Sequence, residues 1–106
     1  MKGYYILEGK NVKYVGDLIK WATWFETADR IVKSDMIDGI YISTVFLGID
    51  HGYPFEEVPP ILFETMIFGG EEDGYQERYS TWEQAEAGHE KAIGIVKAEI
   101  LLNKIL

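Results

Sequence analysis

The chain has 106 residues, no cysteine, 47% hydrophobic and 14% aromatic residues and a formal net charge of −8. That size and balance suit one domain with a packed core, and the missing cysteines exclude disulfides, iron–sulfur clusters, thiolate zinc sites and thiol nucleophiles. The charge is segregated: ten carboxylates (Glu56, Glu57, Glu64, Glu71, Glu72, Asp73, Glu77, Glu83, Glu86, Glu90) stand between Glu56 and Glu90 against one base, Arg78, while the other 71 residues carry eight acids and nine bases.

A field of that sign repels phosphate backbones and attracts basic protein surfaces, so direct nucleic-acid binding is not expected. Met1-Lys2-Gly3-Tyr4-Tyr5 holds no apolar signal-peptide core, and no run reaches the roughly 18 apolar residues of a membrane span. The expected location is the cytoplasm, with no membrane partner.

Tyr4 to Glu8 reads as a strand, turned by Gly9-Lys10-Asn11 into a second strand, Val12 to Val15. Asp17 caps a helix to about Ala28, with a core stripe of Leu18, Trp21, Ala22 and Phe25. Ile31 to Met36 and Ile40 to Leu47 are strands around the Asp38-Gly39 turn, and Gly48 to Pro60 is a loop. Ile61 to Phe68 is the most apolar strand, Gly69 to Gly74 an acidic turn, and Tyr75 to Tyr79 a last strand. Ser80-Thr81-Trp82-Glu83 matches a capping box that opens a helix to the C-terminus, about 36 Å long.

That helix carries one apolar stripe of Trp82, Ala85, His89, Ile93, Val96 and Ile100, and a second of Ile95, Ala98, Leu102 and Ile105. One face packs on a sheet and the other asks for a second partner, for which a homo-oligomer is the expectation. The fold predicted is α+β over residues 1–106: one domain, a mostly antiparallel sheet, two helices on one face and a long C-terminal helix.

Chemistry has few footholds. Glu64 interrupts the apolar strand on the face of Leu62, Met66 and Phe68, where a carboxylate needs a donor. It reads as a base or ligand acceptor, or else as an ion-pair partner of Arg30 or Arg78. His89 sits on the packed helix stripe, as an acid–base partner of Glu64 or as a core histidine satisfied locally. His51 lies in a loop beside Asp50. No metal-ligand spacing, serine elbow or phosphate loop is present, and no cofactor or metal is expected. Trp24 lies on the helix side bearing Asp17 and Lys20, placed to stack on a ligand ring or anchor an interface. Asp29 falls on the core face at the helix end, against the dipole.

Four strings carry a resemblance: Trp21-Ala22-Thr23-Trp24-Phe25-Glu26-Thr27-Ala28-Asp29-Arg30; Ser43-Thr44-Val45-Phe46-Leu47-Gly48-Ile49-Asp50-His51; Pro59-Pro60-Ile61-Leu62-Phe63-Glu64-Thr65-Met66-Ile67-Phe68-Gly69-Gly70; and Glu77-Arg78-Tyr79-Ser80-Thr81-Trp82-Glu83-Gln84-Ala85-Glu86-Ala87-Gly88-His89. Over roughly residues 4–92 the chain resembles a family of small phage and prophage accessory proteins, from which the apolar tail Ile93 to Leu106 departs. The resemblance implies an accessory role early in infection or against host defences, in the host bacterial cytosol, and assigns no functional residue.

Three functions compete. The first is a non-catalytic protein that sequesters a small signalling nucleotide. Trp24, His51, Trp82 and His89 would stack, Glu26, Asp29 and Glu64 would meet ribose and base edges, and Arg30 and Arg78 would help with phosphate. The second is an acidic inhibitor whose face around Glu71, Glu72, Asp73 and Glu77 occupies a basic surface of a host protein. The third, remote, is a small hydrolase using Glu64 and His89. The sequence favours sequestration by a small margin.

Overall fold

The computed structural model describes residues 3–52 and 58–106; of the ten clustered carboxylates, Glu56 and Glu57 lie outside them. Six strands and two helices follow in the order β1 (Tyr4–Glu8), β2 (Asn11–Val15), α1 (Leu18–Thr27), β3 (Ile31–Ile37), β4 (Ile40–Phe46), β5 (Phe63–Phe68), β6 (Gln76–Tyr79) and α2 (Trp82–Ile105). The expected α+β class and long C-terminal helix are present. The strands divide into two antiparallel sheets, a β1–β2 hairpin and a four-stranded β3-β4-β5-β6 meander.

Turn chemistry sets the meander's start. Asp38 and Gly39 both have positive φ, 47° and 81°, the handedness that matches a two-residue hairpin to the twist of its strands. The resulting register aligns Met36, Tyr41 and Phe68 in one row, Ser34, Ser43, Met66 and Gln76 in a second, and Ile31, Val45, Glu64 and Arg78 in a third. Those rows lie on one face of the sheet. The opposite face presents Ile40, Ile42, Thr44 and Phe46 of β4 and Phe63, Thr65 and Ile67 of β5, all buried.

α2 covers that second face. Its buried positions, Ala85, Gly88, His89, Ala92, Val96 and Glu99, recur at helical spacing, and the small ones let the helix settle close. A Cβ at Gly88 would stand 1.9 Å from the Tyr79 hydroxyl. Phe46, Phe63, Ile42, Leu62, Ile67 and Val96 are wholly buried, each side chain contributing about 1.5–3 kcal/mol by leaving water. The second α2 stripe is divided: Ile95 packs partly on this core, Ala98 is exposed, and Leu102 and Ile105 project beyond it.

Two helix details differ from the sequence reading. The α2 capping box is formed by Thr81 and Gln84, one residue later than Ser80 and Glu83. Thr81 and Gln84 satisfy each other's orphan amides there. On α1 the half-buried residues are Trp21, Trp24, Phe25 and Ala28, whereas Leu18 and Ala22 are exposed. The hairpin that α1 packs against is only two strands wide, so it covers the aromatic edge and leaves the rest bare.

The hairpin and α1 join the α2 side of the sheet. Tyr4 bridges Ile49, the Tyr5 amide donates to the Gly48 carbonyl at 2.8 Å, and Trp21 Nε1 donates to the Tyr5 carbonyl at 3.0 Å. Trp24 meets Phe46 edge-on, ring centroids 5.9 Å apart. Among the described residues no helix is long and apolar enough to cross a membrane.

Candidate functional site

His89 anchors the most polar feature of the core. Its ring is fully buried, with Nδ1 2.7 Å from the Thr44 hydroxyl and Nε2 2.7 Å from Asp35 Oδ2. Thr44 reaches on to the Thr65 hydroxyl at 2.6 Å. Beside Thr65 stands the Tyr79 hydroxyl, buried and without a well-formed hydrogen bond. Burial pushes that hydroxyl above its ordinary value, Thr65 draws it part of the way back, and Glu77 pushes it up slightly.

A carboxylate, an imidazole and a hydroxyl in series have the connectivity of a general-base triad. Here the hydroxyl is sealed: Thr44 and Thr65 have no exposed surface, so no substrate atom can come within reach of it. The series satisfies buried polar groups and fixes α2 against β3, β4 and β5. It is the locally satisfied core histidine of the sequence reading.

Glu64 is on the other side of the sheet. It accepts from Arg78 Nε at 2.9 Å and from Gln76 Nε2, with its side chain 12% exposed. The sheet lies between Glu64 and His89, so the acid–base couple considered for a hydrolase is not formed. Glu64 instead takes the ion-pair role with Arg78. Around it Ser43, Val45, Met66 and Phe68 line a shallow groove of about 210 Å³.

The remaining nominated ligand residues are not gathered into one pocket. Arg30 lies 4.1 Å over the Phe25 ring and donates to the Phe46 carbonyl, a cation–π contact plus a backbone tie. Asp29 caps the start of β3 by accepting from the Ile31 amide at 3.1 Å, which explains an acid at that helix end. Glu26 and His51 are exposed. Trp82 packs edge-on to Phe63 at 6.3 Å, and its ring borders a cavity of about 180 Å³ with Lys10, Asn11, Val12, Ser80, Thr81 and Glu83.

The carboxylates are dispersed as well. Glu71, Glu72 and Asp73 are exposed in the β5–β6 turn, where Asp73 accepts from the Gly69 amide at 2.7 Å and the Glu71 amide donates to buried Glu99. Glu77 is engaged by the Tyr75 hydroxyl and Lys91. Glu83, Glu86 and Glu90 lie on the exposed side of α2, Glu90 paired with Lys33. Glu99 marks the turn's place along α2, and from there the acids are strung along the helix, Glu77 at Lys91 and then Glu90, Glu86 and Glu83, over sixteen residues or about 24 Å.

A cleft opens between the hairpin and α1. It encloses about 350 Å³ and is lined by Ile6, Lys13, Tyr14, Val15, Gly16, Asp17, Lys20 and Trp24. Lys20 and Trp24, one helical turn apart, share a face of α1, the side on which the sequence placed Trp24 with Asp17. Asp17 accepts from the Ile19 and Lys20 amides, so the helix end is already capped and its carboxylate is turned to the backbone. Lys13 pairs loosely with Glu8 at 3.5 Å, both side chains largely in solvent. The cleft thus offers two aromatic rings, an aliphatic floor and two mobile ammonium groups. Nothing in it pairs a nucleophile with a base.

Sequence reasoning placed Trp24 on one helix side with Asp17 and Lys20 and missed Lys13 and Tyr14 as their companions. The Lys20–Trp24 spacing was the available signal; Lys13 and Tyr14 join only when the hairpin folds onto α1. It also missed Asp35, Thr44 and Thr65 around His89, although a threonine at matching positions of two otherwise apolar inward faces marked a buried polar link. No family model, curated protein or solved structure matches the chain.

Proposed function

We propose that the protein is a non-catalytic binding protein that holds a small anionic, aromatic molecule of the nucleotide class in the cleft between β2 and α1. The observation that carries this reading is the lining of that cleft: Tyr14 and Trp24 beside Lys13 and Lys20 in about 350 Å³, within the size range of small-ligand sites. The rings suit a base by stacking, and the lysines suit a phosphate as mobile point charges. Both cap bonds go to Asp17 Oδ1, which leaves Oδ2 to accept from a ribose hydroxyl or an exocyclic amine. The cleft is built from the charge-balanced part of the chain, outside the Glu56–Glu90 segment; its own acids are Asp17 in the lining and Glu8 beside Lys13.

With the likeness to small phage and prophage proteins, this reading becomes sequestration of a host signalling nucleotide in the bacterial cytosol. The alternative, an acidic inhibitor of a basic host surface, draws on the exposed Glu71, Glu72 and Asp73, and is disfavoured because Glu64, Glu77 and Glu90 are already paired with Arg78, Lys91 and Lys33.

Native mass spectrometry with a panel of linear and cyclic mononucleotides tests the proposal. The expected result is one nucleotide retained per chain. Affinity should fall at least tenfold in Trp24→Ala and in Lys13→Ala/Lys20→Ala, and stay unchanged in Glu71→Gln/Glu72→Gln/Asp73→Asn. A wild-type protein that retains no nucleotide at millimolar ligand would reject it.

A further inference from the structure

We infer that the open face of the β3–β6 sheet is a self-association surface, whose occupant is a second copy of this chain. The hairpin, α1 and α2 all pack on the opposite face, so nothing in the described residues covers this one. A solvated antiparallel face ordinarily alternates to polar residues. Here six of the residues in the three rows are large and apolar or aromatic: Ile31, Met36, Tyr41, Val45, Met66 and Phe68. Tyr41 and Phe68 stack at 6.0 Å, Met36 is 65% exposed and Phe68 45%. Scattered exposed apolar residues are unremarkable, but a contiguous set on one flat face marks an interaction site.

Charge selects the occupant. Each copy carries −8, and like copies repel wherever their acids meet. Within the three rows the only formal charges are Glu64 and Arg78, which cancel in a 2.9 Å pair. Two copies stacked through this face would put their sheets about 10 Å apart and their α2 helices outermost, roughly 30 Å from one another. Glu83, Glu86 and Glu90 would then sit several times the Debye length of about 8 Å from their counterparts. A basic protein would be drawn instead to α2 or to the acidic turn, and a nucleic acid finds no positive field here. The neutral apolar face is where this chain can meet itself.

Area sets the strength. Four strands about 4.8 Å apart and three rows about 6.8 Å apart give a footprint near 400 Å² per copy. Side-chain relief brings the buried total to about 1,000 Å², at the lower bound for a specific interface and far below an obligate one. The dimer is therefore reversible, with a dissociation constant in the micromolar range or weaker. The surface is separate from the β2–α1 cleft, and neither proposal depends on the other.

Sedimentation velocity on the full chain, from about 1 to 500 µM at low and high salt, tests it. A monomer–dimer equilibrium is expected that tightens as salt rises, because screening relieves the repulsion between net charges while the apolar contact persists. Phe68→Glu and Met36→Glu should each raise the dissociation constant at least tenfold, and Leu102→Glu on α2 should leave it unchanged. Met36 is exposed enough that its change spares the fold, which a thermal melt verifies. A wild-type chain monomeric at about 500 µM in both salts overturns the inference, whether or not the face captures an apolar dye. So does a dimer that Leu102→Glu dissolves and both sheet variants leave intact.

Discussion

β4 presents two different surfaces from one run of seven residues. Inward, Ile40, Ile42, Thr44 and Phe46 are buried, and the one polar member is absorbed into the His89–Thr44–Thr65 series. Outward, Tyr41, Ser43 and Val45 are only partly covered. The inward face has chemically capable groups that nothing can reach, and the outward face has apolar groups that water does reach. A buried polar residue with all its partners in place speaks of fold specificity. An accessible apolar one speaks of something that still has to dock. Of the two readings the sequence left for His89, the structure matches the locally satisfied core histidine, and the strand beside it presents the accessible apolar surface.

The sharpest way to break that contrast is to truncate neighbours on β5. Ile67 is wholly buried against α2, while Met66 faces the open side. Ile67→Ala should cost about 3–4 kcal/mol, the lost transfer plus a cavity the helix cannot close. Met66→Ala, measured by denaturant unfolding at concentrations where the chain is monomeric, should cost about 1 kcal/mol or less. Equal losses would mean that the two faces are equally buried in solution.

A smaller effect probes the polar series. Thr44→Val keeps the shape but removes the hydroxyl between His89 Nδ1 and Thr65 Oγ1, orphaning buried groups at both ends. The expected loss is about 1–3 kcal/mol. Adding Thr65→Val removes one of those orphans, so the second substitution should cost less in the Thr44→Val background than in the wild type. Strict additivity would show that the threonines do not act as one network.

How much of this was legible beforehand depends on distance along the chain. All six strands and both helices follow from local signals: alternation, the Asp38-Gly39 turn, an aspartate cap. The α2 cap was misplaced by one residue because two overlapping boxes, Ser80/Glu83 and Thr81/Gln84, fit the same pattern, and only packing chooses between them. His89's partners lie 45 and 54 residues away, so the sequence supplied the histidine and no means of finding them. α1's buried face shifted toward Trp24 because its partner is a narrow hairpin rather than the broad sheet that an amphipathic stripe implies. The cleft was half legible, through Lys20 and Trp24 on one helix. Its other half needed tertiary structure. The acidic segment was plain as a count and misleading as a surface, since its carboxylates are spread along α2 and over both faces of the sheet, and Glu64, Glu77 and Glu90 are paired with Arg78, Lys91 and Lys33.

The smallest predicted effect separates two carboxylates on neighbouring strands. Glu64 faces the open side and Arg78; Glu77 faces α2, meeting the Tyr75 hydroxyl at 2.5 Å and Lys91 Nζ at 3.5 Å. The Tyr75 hydrogen bond, with Lys91 adding its charge, holds Glu77 below the ordinary value of 4.5 although partial burial pushes the other way. A folded-state value below the unfolded one makes the contribution whole above about pH 4.5, and lost as pH falls through the lower, folded value. An acid scan from about pH 6 to 3 should therefore show the wild type losing stability faster than Glu77→Gln. The gap at neutral pH should stay under about 1 kcal/mol, because the side chain is 38% exposed and solvent screens the pair. Tyr75 supplies the opposite limb. Burial first, then Glu77, pushes its hydroxyl above 10.0, so its contribution is whole below about pH 10 and is lost as pH climbs toward the raised folded value. Tyr75→Phe deletes the hydrogen bond and should flatten both limbs together. If only the alkaline limb flattened, Lys91 rather than Tyr75 would be what holds Glu77 ionised, and the α2 face would owe its acid resistance to a solvent-screened charge instead of a hydrogen bond.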